Sequence, residues 1–245
     1  MRAQRHRFLD RVRNALHGRT THGRGDLRYE DLPVPAASDT PAHVLEILAT
    51  GAAEVNATLI RAADHAAAGR AVADIVRTTD AEWEHQDAVI AWDDPLLDQI
   101  KAKEMVEATG TEFYTMPAHS ATPLTRQDRD LFHDQVLRSK IGITTADYCI
   151  AETATLVLRN RPGQPSAVSL VPSVHIAVVP ACRVLPDFTG LYALLERQLE
   201  SDPDALTHRM TLISGPSKTG DIELVMVHGA HGPRALYLVI VDDGR

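Results

Sequence analysis

Apolar and polar positions divide this chain into short continuous apolar runs and longer amphipathic stretches. Ala88-Val89-Ile90-Ala91-Trp92 is apolar throughout, which predicts a strand buried on both faces. Further strands are predicted over 54–60, 112–116, 167–170, 176–179 and 236–241, and on either side of a turn within 142–158. Helical spacing predicts helices over 3–17, 41–51, 62–76, 94–108, 124–139 and 190–200. The first carries Phe8, Leu9, Val12, Ala15 and Leu16 on one side and arginines on the other. Thr40 and Pro41 suit the cap and first turn of the second, and Asp94-Pro95 opens the fourth. Ala66, Ala73 and Val76 share a face of the third, while Leu131, Val136 and Leu137 are the apolar positions of the fifth. This alternation predicts an α/β fold, a sheet flanked by helices on both faces. The strand-rich last third predicts a mixed sheet.

Glycines and prolines crowd residues 18–41, which reads as a linker. The predicted organisation is a basic helix and linker over 1–40, then an α/β domain over 41–245. Hydrophobic residues make up 44% of the 245 and aromatics only 4%, so the core is aliphatic. The net charge of −8 argues against bulk nucleic-acid binding. Eight arginines nevertheless stand among residues 1–28, against Asp10 and Asp26.

Cys149 and Cys182 form no Cys-x-x-Cys pair, so this chain alone builds neither an iron–sulfur cluster nor a zinc ribbon. A reduced, cytoplasmic protein is expected. No apolar run reaches the roughly 20 residues of a membrane span. No Gly-x-Gly-x-x-Gly follows a predicted strand, which argues against a stand-alone nicotinamide dehydrogenase.

The densest chemistry lies over 213–223, between two apolar runs. Ser214, Ser217 and Thr219 offer hydroxyls, Gly215 and Gly220 leave backbone N–H groups approachable, and Lys218 adds positive charge. That is the inventory of an anion cradle; a strand connection satisfying its own backbone is the plainer alternative. Asp221 and Glu223 are spaced to share one side of a strand. They suit acid–base work, or ion pairs with Lys218 and Arg234. Asp147 and Glu152 flank another turn, as base or nucleophile, or as a cap and a salt bridge. Arg234 suits a carboxylate clamp. His228 and His231 share a turn, but no metal is assigned to them. His175 opens an apolar strand and reads as structural.

The run Gly142-Ile143-Thr144-Thr145-Ala146-Asp147-Tyr148-Cys149-Ile150-Ala151-Glu152-Thr153-Ala154-Thr155-Leu156 resembles a motif of the lactate utilization protein C family, the LUD-domain proteins. Residues 174–179, 214–223 and 229–234 fit the same family in the same order. Ala154 departs from it where glycine is common, and Ser173 where proline often stands. The resemblance implies a fold similar to the NagB/RpiA/CoA transferase-like group. It also implies a non-redox part in oxidising L-lactate to pyruvate, beside iron–sulfur partner proteins that hold the clusters. This chain alone is then expected to bind no cofactor. Glu152, Asp221 and Glu223 are the expected catalytic carboxylates. Ser214, Gly215, Ser217, Lys218, Thr219, His231 and Arg234 are the expected ligand-binding residues, for a small carboxylate or phosphate. Two alternatives stay open: a stand-alone enzyme acting on an acyl, CoA or phosphorylated substrate, and a carboxylate-sensing regulatory module.

Overall fold

The apolar runs become the strands of a six-stranded sheet. The computed structural model describes residues 41–115, 125–159, 161, 163–201, 209–220, 226–228 and 232–242, all within the unit Pro35–Arg245. The predicted helix over 3–17, the linker to residue 40, and Asp221, Glu223 and His231 lie outside the described residues.

In chain order come α1 (Pro41–Glu54), β1 (Thr58–Ala62), α2 (His65–Thr78), β2 (Ala88–Ala91), α3 (Pro95–Gln99), α4 (Ala102–Glu107), β3 (Glu112–Thr115), α5 (Arg126–Arg138) and β4 (Ser139–Thr145). Then follow β5 (Tyr148–Ile150), β6 (Thr155–Arg159), α6 (Ala167–Leu170), β7 (Val174–Pro180), a 3-10 turn (Ala181–Arg183), β8 (Val184–Leu185) and α7 (Phe188–Ser201). β9 (Met210–Ser214), β10 (Lys218–Gly220), β11 (Met226–His228) and β12 (Ala235–Val241) complete the order.

The main sheet runs β1-β12-β7-β4-β2-β3, and every neighbouring pair is parallel. Among the described strands, antiparallel pairing occurs in a second sheet, β8-β5-β6-β9, and in the β10–β11 pair, with one isolated antiparallel bridge between Arg161 and Gln164. The strand-rich last third therefore adds a second layer and a strand pair, and only β7 and β12 of it join the main sheet. The central strands β2 and β7 are buried along their whole length, as parallel strands covered on both faces must be. Edge strands β1 and β3 are partly exposed.

α2 packs against α4 and against β1 and β12, whereas α5 packs against β2 and β4 and α6 against β4 and β7. Lys140, on β4, donates to the carbonyls of Thr79 (2.6 Å) and Val76 (3.4 Å), closing the carboxyl end of α2 with a positive charge. Gly142 is needed at its place for a close approach: a Cβ there would lie 1.8 Å from the Val168 carbonyl oxygen of α6.

Four sequence expectations change. Residues 167–170 form a helical turn, not a strand, held by Val168 N–H to Pro165 O and Val171 N–H to Ala167 O. A four-residue apolar run is too short for its periodicity to separate helix from strand. The helix expected over 94–108 is two short helices broken at Lys101, whose φ is +55°. Leu131 and Leu137 are 59% and 52% exposed, so α5 buries only Val136. Ala66 likewise faces solvent, while Ala73 and Val76 are buried as expected, together with Ala68, Val72 and Ile75.

Candidate functional site at the carboxyl end of the sheet

β2 and β4 are neighbours, yet the chain leaves them in opposite directions: from β2 outward to β3, from β4 inward to β7. Such a divergence opens a crevice outside the carboxyl ends of the two strands, where open α/β sheets bind ligands. Asp94 lies just beyond β2, while Thr145 ends β4 and Asp147 follows it.

Asp94 is fixed by local sequence. It caps α3, with Pro95 as the first helical residue, and one carboxylate oxygen accepts Leu96 N–H at 3.0 Å. The other oxygen accepts the Thr145 hydroxyl at 2.8 Å and the Gln164 amide at 3.1 Å. The crevice is thus bridged by side chains from both strands.

Asp147 is nearly buried and surrounded by arginine donors. It accepts Arg159 N–H at 2.8 Å and Arg159 Nε–H at 3.1 Å. Arg161 adds Nη1 at 3.2 Å and a close contact from Nη2. Burial pushes this carboxyl's pKa up. The Arg161 hydrogen bond, the Arg159 backbone N–H and the two guanidinium charges outweigh burial and hold it below the usual carboxylate range. Asp147 is therefore ionised. Arg159 reaches on to Gln198 (2.9 Å), which donates to the Tyr148 hydroxyl (3.1 Å). Exposed Arg183 donates to the Ala146 carbonyl at 3.4 Å.

These groups enclose a cavity of about 290 Å³. Arg159, Arg161 and Arg183 face Asp94 and Asp147 around it, an excess of positive charge. Each guanidinium has five N–H donors, so Arg161 and Arg183 retain donors for a bound anion.

Of the residues singled out from sequence, Asp147 lies in this cavity, whereas the described members of the expected ligand-binding set lie elsewhere. Ser214 ends β9, and its hydroxyl is 2.7 Å from that of Thr155, which is 2.6 Å from that of Thr153. Gly215 takes φ +77° and packs so near Val55 that a Cβ would lie 2.5 Å from its carbonyl oxygen. Ser217 N–H donates to Pro233 O (2.8 Å) and Arg234 N–H to Ser173 O (2.8 Å). Arg234 Nε lies 3.8 Å from a Glu82 carboxylate oxygen. Pro233 and Arg234 precede β12, Ser173 precedes β7 and Val55 precedes β1. Ser214, Gly215, Ser217 and Arg234 therefore gather at the amino end of the sheet. The described arm of that loop is partly strand: Lys218 is exposed on β10, opposite His228. Thr219 shares β10. Glu152 is exposed in the turn before Thr153.

Sequence reasoning passed over Arg159, Arg161, Arg183 and Gln164. One signal was present: Arg159 and Arg161 are two apart at the end of an apolar strand, so they share a side. Nothing in the sequence pointed to Arg183.

His175 is buried. Its Nε2 lies 2.8 Å from the Thr144 hydroxyl, and its Nδ1 has no hydrogen-bond partner among the described residues. Burial pushes its pKa down to about 3, so the ring is neutral. Burial raises the Cys149 thiol to about 12, which leaves it unreactive. Among the described residues no three His, Cys, Asp or Glu side chains group as a metal site. No helix there is long and apolar enough to cross a membrane.

Comparison with known proteins follows the same lines. The chain is 32% identical over 155 residues to lactate utilization protein C of Halalkalibacterium halodurans, a match spanning 63% of each chain. It is 38% identical over 110 residues to the protein of that name from Exiguobacterium sp., covering 44% of this chain and 46% of the relative. The chain thus spans under two thirds of these relatives' lengths. A crystal structure of a DUF162 family protein from Deinococcus radiodurans superposes with a TM-score of 0.52 at 20% identity, over 83% of this chain and 99% of that one, which shows a shared fold. The LUD domain model matches residues 45–241, from within α1 to the last residue of β12, and the chain belongs to the LUD domain family.

Proposed function

We propose that this chain serves L-lactate utilisation as a non-redox component, binding the carboxylate of lactate or pyruvate in the cavity at the carboxyl end of the sheet. The observation that carries this reading is the set of Arg159, Arg161 and Arg183 around a crevice of the kind that takes ligands. The name shared by the relatives supports the choice of carboxylate. Arg161 and Arg183 clamp the carboxylate, and the Thr145 hydroxyl and Gln164 amide offer partners for the 2-hydroxyl or 2-oxo oxygen. Asp147 holds two of the arginines, and Asp94 holds Thr145 and Gln164. The two electrons lost when lactate becomes pyruvate leave to an iron–sulfur partner protein; this chain binds and orients.

A second observation supports assembly with such a partner. Trp83, Leu137 and Val171 are 65%, 52% and 45% exposed and line a cavity of about 720 Å³. Exposed apolar groups of this kind mark protein contacts.

Calorimetric titration of L-lactate and pyruvate into wild type, Arg161→Met and Arg183→Met tests the site. Loss of one charge-assisted contact is expected to weaken binding by about 1.5–3 kcal/mol. Equal affinity in all three proteins would remove the arginines from the site. Anaerobic isolation of the native protein, with iron and sulfide analysis of what accompanies it, tests the partner.

A further inference from the structure

A second cavity, of about 320 Å³, adjoins the arginine-lined one and shares Asp94 and Arg183 with it. It too lies at the carboxyl end of the sheet, where β7 and β12 end. His65 opens α2 there, Gln99 ends α3, and Cys182 stands in the 3-10 turn beside Arg183. The accessible wall is therefore mainly polar. The half-buried His65 ring and the exposed Gln99 amide have no hydrogen-bond partner among the described residues. The Asp94 carboxylate has about four lone-pair sites. Leu96 N–H, the Thr145 hydroxyl and the Gln164 amide occupy three of them, which leaves an acceptor at the boundary of the two cavities. Arg183 gives one hydrogen bond, to the Ala146 carbonyl, and keeps its other donors.

These groups decide what the second cavity can hold. An alkyl chain would cover the Gln99 amide and the His65 ring nitrogens and give them nothing to bond, which opposes binding. A second acid group would meet the Asp94 carboxylate at the boundary and be repelled. Hydroxyls fit, because each one both donates and accepts: they donate to Asp94 and accept from Gln99 and Arg183. Size agrees. At the roughly 30 Å³ of one liquid water per non-hydrogen atom, the six such atoms of lactate occupy no more than about 180 Å³. The arginine-lined cavity alone accommodates them. A five-carbon acid with a hydroxyl on every other carbon has eleven such atoms and occupies up to about 330 Å³. That is more than the first cavity holds and within the two together.

We propose that the ligand class of this site extends to polyhydroxylated 2-hydroxy acids of four or five carbons, whose carboxylate is held by Arg161 and Arg183 and whose further hydroxyls enter the second cavity. This inference rests on the carboxylate-binding reading above. The hydroxyl nearest the boundary donates to Asp94, and those beyond it bond Gln99 and His65. The arginines read the acid group and the second cavity reads the hydroxyls, so the two ends of the ligand are recognised independently.

The test is calorimetric titration of the full chain with L-lactate and with two matched pairs: L-erythronate against (S)-2-hydroxybutyrate, and L-ribonate against (S)-2-hydroxypentanoate. All share the configuration of L-lactate at the second carbon, and the members of a pair differ only in the hydroxyls beyond it. One hydrogen bond gained on binding strengthens it by about two- to ten-fold. The hydroxylated member of each pair is therefore expected to bind at least about three-fold more tightly. Because this ratio is taken within one protein, a general loss of affinity does not move it. Gln99→Met, a change at an exposed position, is expected to halve the ratio or better, and the double variant His65→Leu, Gln99→Met to lower it further. A smaller wild-type ratio, or rejection of all four longer acids, with L-lactate still bound, overturns this inference and leaves the carboxylate reading standing. A ratio less than halved in both variants also overturns it, because the hydroxyls then lie elsewhere. Absence of binding by every acid, L-lactate included, overturns both.

Discussion

Asp147 and Arg159, twelve residues apart in the chain, are joined twice: the carboxylate accepts Arg159 N–H at 2.8 Å and Arg159 Nε–H at 3.1 Å. The first bond locks the backbone at the end of β6, and the second aims the guanidinium along the cavity. One aspartate thus couples the second sheet to the end of β4, and Arg161 is gathered in by the same carboxylate.

Removing that charge leaves Arg159, only 11% exposed, without its counter-ion. Asp147→Asn is expected to destabilise the fold by about 3 kcal/mol. Its pH dependence has a definite sign. The folded-state pKa is depressed, so the native chain binds fewer protons than the unfolded chain near the ordinary value of about 3.9. The contribution is complete above that value and is lost as pH falls through the folded-state value. Urea midpoints between pH 6 and 3 should fall more in wild type than in Asp147→Asn. Parallel curves would deny Asp147 this role.

His175 acts at higher pH. Its folded-state pKa is about 3, against about 6.5 in an unfolded chain. Below pH 6.5 the unfolded state takes up a proton that the native state refuses. Wild-type stability should therefore drop by about 1.4 kcal/mol per pH unit from this group between pH 6.5 and 3. His175→Gln should lack that component. Identical slopes in the two proteins would show that the ring is protonated in the fold.

Ala154 takes φ +45° in the turn between β5 and β6, a region that a side chain resists. Its methyl is also fully buried. Ala154→Gly relieves about 1–2 kcal/mol of backbone strain. It loses about 0.8 kcal/mol of methyl burial and 0.5–1 kcal/mol to the freer unfolded chain. The balance is near zero, so the thermal midpoint should barely move. Ala154→Val, a β-branched residue at positive φ in a packed turn, should cost more than 2 kcal/mol. A tolerant Ala154→Val would mean the turn opens freely.

Lys218 belongs to the amino-end group through its neighbour Ser217, which bonds Pro233 ahead of β12. Lys218→Met should leave pyruvate affinity within two-fold of wild type, while Arg183→Met weakens it by ten-fold or more. The reverse pattern would return the anion site to the loop over 214–223.

The strands over 88–91 and 236–241, the helix opened by Asp94-Pro95 and the resemblance over 142–156 were legible in the chain because each depends on local order. Continuous apolar runs must be buried on both faces, and a Pro in the first turn after a capping Asp starts a helix wherever the chain goes. The run over 88–92 read as a buried parallel strand and pairs parallel on both sides, but the partners of the later strands were not legible. Whether the last third would join the main sheet or build a second one depends on which distant strand each segment meets. The site was hidden for the same reason. Asp94, Thr145, Asp147, Arg159, Arg161 and Arg183 are scattered over ninety positions, and apart from the two-residue step between Arg159 and Arg161 no spacing links them. They meet because β2 and β4 are neighbours whose continuations diverge. The loop over 214–223 drew attention by its polar density, a property of sequence alone, yet strand order carried Ser214, Ser217 and Arg234 to the opposite end of the sheet. Composition dictated which groups were available, and the crossing of the parallel strands decided which of them share a cavity.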